Sequence, residues 1–409
     1  MTDHSANMQG RIADMMEATR LTGSGRLEEA TALIQRSLFD LNPYPAQPAR
    51  DRTAEAPPVQ HKAISTGDAQ PNPSAATQAA LVPERVREVI GSVARGLAPM
   101  LKGLGGGLGA GLRAPEPQEG GGGSFVARSF ANAAGARDYK LFIPSRPKAR
   151  APLVVMLHGC TQSPDDFAAG TGMNALAERA GIFVAYPGQT GRAHAQKCWN
   201  WYEPRDQGRE SGEAAIIAGL TRAVMEEHGI DPARVYVAGL SAGGAAAANL
   251  ARAYPDLYAA VGIHSGLAAG CARDLGSALM AMQGGAPGST APNGFGAAPE
   301  TLRVPTIVFH GEDDTTVSAR NADQILAQAG ADGLKPAEER FEGQGHPFTR
   351  TRYSDARGRV LVESWRVRGA GHAWSGGDTQ GSYTDPQGPD ASRAMLDFFA
   401  GHRLGAVRG

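Results

Sequence analysis

The sequence predicts an α/β fold, a mainly parallel twisted sheet with helices on both faces, preceded by a helical and partly disordered amino-terminal region. Two observations predict it. From Arg137 onward, short apolar runs alternate with helix-length stretches, and alternating β and α elements imply parallel strands covered on both faces. The chain's one G-x-S-x-G, Gly239-Leu240-Ser241-Ala242-Gly243, directly follows the apolar run Val235-Tyr236-Val237-Ala238 and precedes a small-residue helix. That order reads as a sharp strand-to-helix turn.

In chain order, Met8, Ile12, Met15, Met16 and Leu21 recur at helical spacing, as do Leu27, Ala30, Leu33, Ile34 and Leu38 after Gly23-Ser24-Gly25. Residues 1–40 are therefore expected to form a helical hairpin. Residues 41–123 read as a Pro/Gly-rich linker, opened by Asn42-Pro43-Tyr44-Pro45 and closed by four glycines from Gly120; such segments bury too little apolar surface to offset their ordering entropy. Inside the linker, Val82, Val86, Val89, Ile90, Val93 and Leu97 share one face of an amphipathic helix near 82–98, which Pro99 ends. Amphipathicity alone does not separate docking on the main domain, pairing with another copy and contact with a hydrophobic surface.

The main domain is placed at residues 124–402. Strands are expected at Tyr139 to Ile143, Leu153 to Leu157, Ile182 to Tyr186, the run before Ser241, Ala259 to His264, Thr306 to His310 and Val360 to Val367. Helices are expected near Asp165 to Arg179 and Glu213 to His228. Sites in such sheets gather at the carboxyl ends of the strands.

Composition excludes several function classes. The 409 residues carry a formal net charge of -1 with the two signs well mixed, which argues against a nucleic-acid partner. No apolar run reaches the ~18 residues of a membrane span. The first residues lack the basic-then-apolar order of a signal peptide, so a cytoplasmic location is expected. Cys160, Cys198 and Cys271 cannot all pair within one chain, and their spacing is no zinc pattern. Free buried thiols are expected in a reducing compartment; in an oxidising one, Cys160 and Cys198, which flank the candidate site, are the first pair to consider. The glycine clusters at 103–111 and 120–123 lack the strand, lysine and helix of a phosphate loop. No metal and no cofactor are expected.

A serine hydroxyl is a poor nucleophile until backbone exposes it and a base activates it. Ser241 on its turn meets the first need. Asp314, in His310-Gly311-Glu312-Asp313-Asp314, follows a late strand and suits the acid that fixes a histidine tautomer; Asp313 competes and is read as a solvated or turn-capping carboxylate. Among His346, His372 and His402, only His372 follows the last strand-like run, and it completes the order Ser, Asp, His. The turn Leu157-His158-Gly159-Cys160-Thr161 can aim the Cys160 amide at a developing oxyanion, with Ala242 as second donor. Trp199, Trp201 and Trp374 lie in polar, Gly-rich surroundings and are expected to wall a ligand cleft, with burial in the core as the competing reading. Glu210 and Glu213 are read as structural carboxylates at a helix start.

Residues 138–399 resemble the esterase family that contains the short-chain polyhydroxyalkanoate depolymerases, on Leu157-His158-Gly159-Cys160-Thr161-Gln162, Cys198-Trp199-Asn200-Trp201, the elbow at Ser241, His310-Gly311 and Gly371-His372-Ala373-Trp374-Ser375-Gly376-Gly377. The resemblance implies a lidless α/β-hydrolase whose serine attacks a polyester carbonyl in an exposed crevice. By motif it assigns Ser241, Asp314 and His372 as the triad, Cys160 and Ala242 as oxyanion donors, and the three tryptophans as walls for hydroxybutyrate units. Without a signal peptide or a recognisable substrate-binding domain after Phe399, the expectation is a cytoplasmic enzyme acting on stored poly(3-hydroxybutyrate) or its oligomers, with the amino-terminal region touching the storage granule. A feruloyl or acetyl-xylan type esterase is the alternative of the same fold, because a triad does not encode the acyl group. A non-catalytic granule-associated protein is the second.

Overall fold

The computed structural model describes residues 122–284 and 301–405. The hairpin expected over 1–40, and almost all of the linker with its amphipathic helix expected over 41–123, lie outside the described residues.

Six strands make the parallel centre of one sheet: β3 (Leu153–Leu157), β4 (Phe183–Pro187), β5 (Val235–Leu240), β6 (Ala260–His264), β7 (Thr306–Gly311) and β10 (Val360–Val367). Antiparallel strands extend it at both ends, β1 (Ser124–Asn132) and β2 (Gly135–Ile143) beside β4, and β9 (Phe348–Ser354) then β8 (Lys335–Phe341) beside β10. The ten strands run in the order β1-β2-β4-β3-β5-β6-β7-β10-β9-β8. The β3, β4, β5, β6 and β7 strands are buried along their whole length, as continuous apolar runs between two helical layers must be.

Strand alternation splits the core in two. Leu153, Val155 and Leu157 join Val235 and Val237 beneath α3 (Gly212–His228) and α4 (Ala242–Ala253), with α6 (Arg320–Gln328) on the same face. Val154, Met156, Tyr236 and Ala238 point the other way, toward α1 (Pro164–Thr171), α2 (Met173–Ala180) and α7 (Ala391–Ala400). The period of two along each strand divides these sets.

The expected strands are present, and three differences have physical causes. The helix expected near Asp165 to Arg179 is two helices, because Gly172 at φ 59° closes α1 and opens α2; a glycine adopts that left-handed conformation without a Cβ clash. The β8 and β9 strands carried no usable alternation. β8 reads Lys-Pro-Ala-Glu-Glu-Arg-Phe and is almost wholly exposed, while β9 is half-buried throughout, as suits a charged edge that resists pairing with another sheet. β1 is likewise a largely exposed edge strand.

After β10, two short strands, β11 (Trp374–Ser375) and β12 (Thr384–Asp385), pair in parallel and tie down the loop that follows His372. A last described helix, α5 (Leu275–Gly284), lies between β6 and β7 in sequence. Among the described residues no helix is long and apolar enough to cross a membrane.

Candidate active site

Ser241 occupies the turn between β5 and α4 with φ 58° and ψ -122°, a conformation that a non-glycine residue holds only when its surroundings impose it. The two flanking glycines explain how. A Cβ on Gly239 would lie 2.4 Å from the carbonyl of Gly243, and one on Gly243 would lie 2.1 Å from Leu157 O. The turn closes because neither Cβ exists. The Ser241 amide donates to His264 O at 2.9 Å, whereas among the described residues no hydrogen bond holds its hydroxyl. The side chain sits at the positive end of α4, where the helix dipole favours developing negative charge.

Asp314 and His372 meet directly. His372 Nδ1 is 2.7 Å from Asp314 Oδ2, and Asp314 Oδ1 accepts from the amides of Thr316 at 2.9 Å and Val317 at 2.8 Å. Both carboxylate oxygens are thus fixed. Burial works against the Asp314 charge, yet hydrogen bonds from His310 and His372 prevail and hold the carboxyl below its usual range. His310 donates from Nε2 to Val317 O at 2.8 Å and lies 3.5 Å from Asp314 Oδ2. Asp313 is exposed, and its amide donates to Ala370 O at 3.0 Å, so it braces the His372 loop through backbone alone. His346 instead pairs with Asp385 at 3.1 Å.

The loop after β3, which carries Cys160, packs its His158 carbonyl against the amino terminus of α4. Contact is tight there: besides Leu157 O, a Cβ on Gly243 would meet His158 O at 2.5 Å. Among the described residues neither the Cys160 nor the Ala242 amide has a hydrogen-bond acceptor. Cys160 and Cys198 form a disulfide. The expectation of three free thiols is therefore corrected: Cys271 alone is unpaired, and the pair considered for an oxidising compartment is the one formed.

A polar clamp, invisible in the motifs, joins this loop to the His372 loop. Gln162 Oε1 accepts from Gly159 N at 2.8 Å, while Nε2 donates to Asp166 Oδ2 at 2.9 Å and Ser382 O at 3.0 Å. Asp166 accepts in turn from Ser382 N and Oγ, at 2.9 and 2.6 Å. Beside the clamp, the exposed Tyr383 places its hydroxyl 3.1 Å from Thr161 Oγ1. Tyr383 was missed in the sequence because its neighbour is 222 residues away.

Residues 137–334 match the family model described as Esterase PHB depolymerase. Over these residues the chain is similar to that esterase family. The chain is 35% identical over 244 residues to poly(3-hydroxyalkanoate) depolymerase C of Paucimonas lemoignei, covering 56% of each. It is 28% identical over 286 residues to the poly(3-hydroxybutyrate) depolymerase of Ralstonia pickettii, covering 65% of this chain and 57% of the relative. Similarity extends to feruloyl esterase B of Thermothelomyces thermophilus, 29% over 203 residues, with 46% of this chain and 67% of the relative covered. The chain thus spans little more than half the length of the two depolymerases. Among solved structures, the acetyl xylan esterase from Aspergillus awamori superposes with a TM-score of 0.54 at 20% identity, over 68% of this chain and 100% of that one. The fold is that of the α/β-hydrolase esterases.

In this fold the three tryptophans do not wall an open cleft. Trp199, Trp201 and Trp374 are 0%, 6% and 1% exposed. Trp199 Nε1 donates to His158 O at 3.0 Å, bracing the donor loop from beneath. Trp201 packs in the core under α3 and α4. Trp374 donates to Ser392 Oγ at 3.0 Å, stacks on His264 with centroids 5.0 Å apart and meets the edge of Phe167. Trp199 and Trp374 are thus buried with polar partners on their indole nitrogens, and Trp201 is buried edge-on to Tyr202. His264, on the same stack, accepts from Ser375 N at 3.0 Å, and burial pushes its pKa down to about 3. Glu213 is structural, as expected, but it is a buried hub. It accepts from Arg137, Asn200 and Gln189, and burial raises its pKa despite those donors.

Proposed function

We propose that the protein is a serine esterase that hydrolyses poly(3-hydroxybutyrate), a related polyhydroxyalkanoate or their oligomers through an acyl-enzyme. The observation that carries the reading is the closed Asp314–His372 pair, 2.7 Å apart at the same sheet end as the strained Ser241 turn. Asp314, accepting from Nδ1, keeps His372 Nε2 free to act as base. His372 takes the Ser241 proton as the hydroxyl attacks the ester carbonyl, and the Cys160 and Ala242 amides hold the oxyanion. His372 then protonates the departing alcohol, and water repeats the attack on the acyl-enzyme. The Ser241–His372 contact forms with substrate in place, as catalytic hydrogen bonds commonly tighten in the Michaelis complex.

Similarity to two depolymerases supports polyester as the acyl donor. The feruloyl esterase and acetylxylan esterase relatives support a second reading, a feruloyl or acetyl ester of a sugar, and burial of the tryptophans removes one argument for the first. Rates on hydroxybutyrate oligomers, feruloyl sugars and acetyl-xylan, measured side by side, decide between them; no turnover of the oligomers sinks the depolymerase reading. Labelling by a serine-reactive phosphonate that persists in Ser241→Ala excludes Ser241 as nucleophile, and absence of labelling in the parent protein favours the non-catalytic alternative.

The Cys160–Cys198 bond supports an oxidising compartment over the cytoplasmic location expected from the first residues. Thiol counting on protein from fractionated cells tests this, one titratable thiol fitting the oxidised state. Three titratable thiols would instead restore the cytoplasmic location, and for that case we assign the amino-terminal region to contact with a stored polymer granule. Deleting residues 1–120 should reduce activity on native granules and spare that on a soluble ester, and equal retention of both refutes the assignment.

A further inference from the structure

The donor loop holds a buried histidine that takes no part in the mechanism above. His158 is 1% exposed, and both its ring nitrogens are engaged. Nδ1 lies 2.7 Å from Gly159 O, and Nε2 lies 3.0 Å from the Gln189 amide nitrogen. A carbonyl only accepts and a backbone N–H only donates. The neutral ring protonated on Nδ1 is therefore the one form that satisfies both contacts. Burial keeps it neutral by pushing its pKa down to about 4.

What the ring holds is the other end of a proposed oxyanion donor. Gly159 O and Cys160 N belong to a single planar trans peptide, whose carbonyl and N–H point in opposite directions. Anchoring the oxygen on His158 directs the Cys160 N–H away from the ring. The only other donor to that oxygen among the described residues is the Gln162 amide, at 3.4 Å, too long to fix the plane alone. Gly159 has no Cβ and resists a peptide flip least of any residue. A hydrogen bond to the carbonyl also polarises the same amide and strengthens its N–H as a donor.

We infer that His158 is a positioning residue for catalysis: locked as its Nδ1–H tautomer by the Gln189 amide, it orients the Gly159–Cys160 peptide so that the Cys160 N–H faces the oxyanion. It touches no reacting atom. Its own support is built in, since Gln189 Nε2 donates to Cys198 O at 2.9 Å and bonds to the buried Glu213. Trp199 donates to His158 O from the other side at 3.0 Å. The inference rests on the serine-esterase reading above.

The test compares His158→Asn, His158→Gln and His158→Phe in the full chain, on a soluble p-nitrophenyl ester and against a boronic acid that forms a tetrahedral adduct with an activated serine. An asparagine amide can donate from near the Nδ1 position, whereas glutamine reaches toward Nε2 and phenylalanine donates nothing. Loss of one oxyanion donor lowers kcat by about 10²–10³-fold, and that is expected for the Gln and Phe variants, with KM within about threefold. Boronate affinity should fall in parallel with kcat, and Asn should recover at least ~10-fold over Gln. Folded Gln and Phe variants with kcat within about threefold of the parent overturn the inference, as does a loss of kcat without a matching loss of boronate affinity. Imidazole nitrogen chemical shifts of the unsubstituted protein must report the Nδ1–H tautomer; the Nε2–H tautomer overturns it even if no variant folds. Ser241→Ala separates the two levels. If it retains turnover, the esterase site itself is misassigned and this inference falls with it; if it abolishes turnover while His158→Gln is silent, only the His158 inference fails.

Discussion

Replacing Gly243 by alanine should disable the site while leaving every reactive side chain in place. A Cβ at this position lies 2.1 Å from Leu157 O, 2.5 Å from His158 O and 2.6 Å from Leu157 C. All three are backbone atoms, so no rotamer change relieves the contact. Non-bonded heavy atoms settle near 3.5 Å, which forces α4 and the exit of β3 apart by on the order of 1 Å. Those two elements carry the Ala242 and Cys160 amides, and the gap between the donors widens with them. A misplacement of about 1 Å costs on the order of 10²-fold in rate, and overpacking of this kind costs roughly 1–3 kcal/mol of stability. Gly243→Ala is therefore expected to lower kcat on a soluble ester by about 10²-fold, with Tm reduced by roughly 2–10 °C. Gly371→Ala is the matched control: it adjoins His372, but its Cβ meets nothing within 4 Å, so kcat should stay within about threefold. A Gly243→Ala protein with the kcat and Tm of the parent would refute the geometry of the donor pair.

Asp314→Asn should lower kcat by about 10³–10⁴-fold, because an amide no longer fixes the His372 tautomer, whereas Asp313→Asn should be nearly silent; the reverse order would reassign the acid. Stability should fall as pH drops from about 6.5 toward 4. His158 and His264 are buried neutral, with pKa values pushed down to about 4 and about 3, so over that window the unfolded chain takes up protons that the native state refuses. Urea unfolding at several pH values checks this, and a flat profile between neutrality and pH 4.5 contradicts it. Reducing the disulfide, which spans a sequence separation of 38, should remove about 3–4 kcal/mol. Cys198→Ser that unfolds at the parental Tm would show that the bond contributes nothing.

Where physics is local, the sequence was readable. The central strands announced themselves because burial on both faces demands apolar runs, and the G-x-S-x-G elbow because two absent Cβ atoms permit its turn. Asp314, rather than Asp313, meets His372, as spacing from His310-Gly311 implied. The indoles misled, because a tryptophan beneath a Gly-rich loop and one lining a cleft have the same local sequence; only the partners of Nε1, His158 O for Trp199 and Ser392 Oγ for Trp374, tell them apart. The β8–β9 hairpin escaped notice because an exposed edge has no core face to set a pattern. Contacts such as Gln162 with Ser382 and Thr161 with Tyr383 join residues more than 200 positions apart, and nothing in either stretch names the other.

The Gln162–Asp166–Ser382 clamp bears on how this scaffold can be re-engineered. A loop that shapes substrate access is usually treated as an exchangeable cassette. Here the stretch from Asp378 to Tyr383 grips the first turn of α1 and, through Gln162, the peptide next to Cys160. Exchanging it alone would remove the Ser382 bonds of a buried glutamine and of an aspartate and slacken the donor loop along with the rim. Changes in substrate preference must therefore carry both loops together, and rate and selectivity in this domain should shift as one inherited trait.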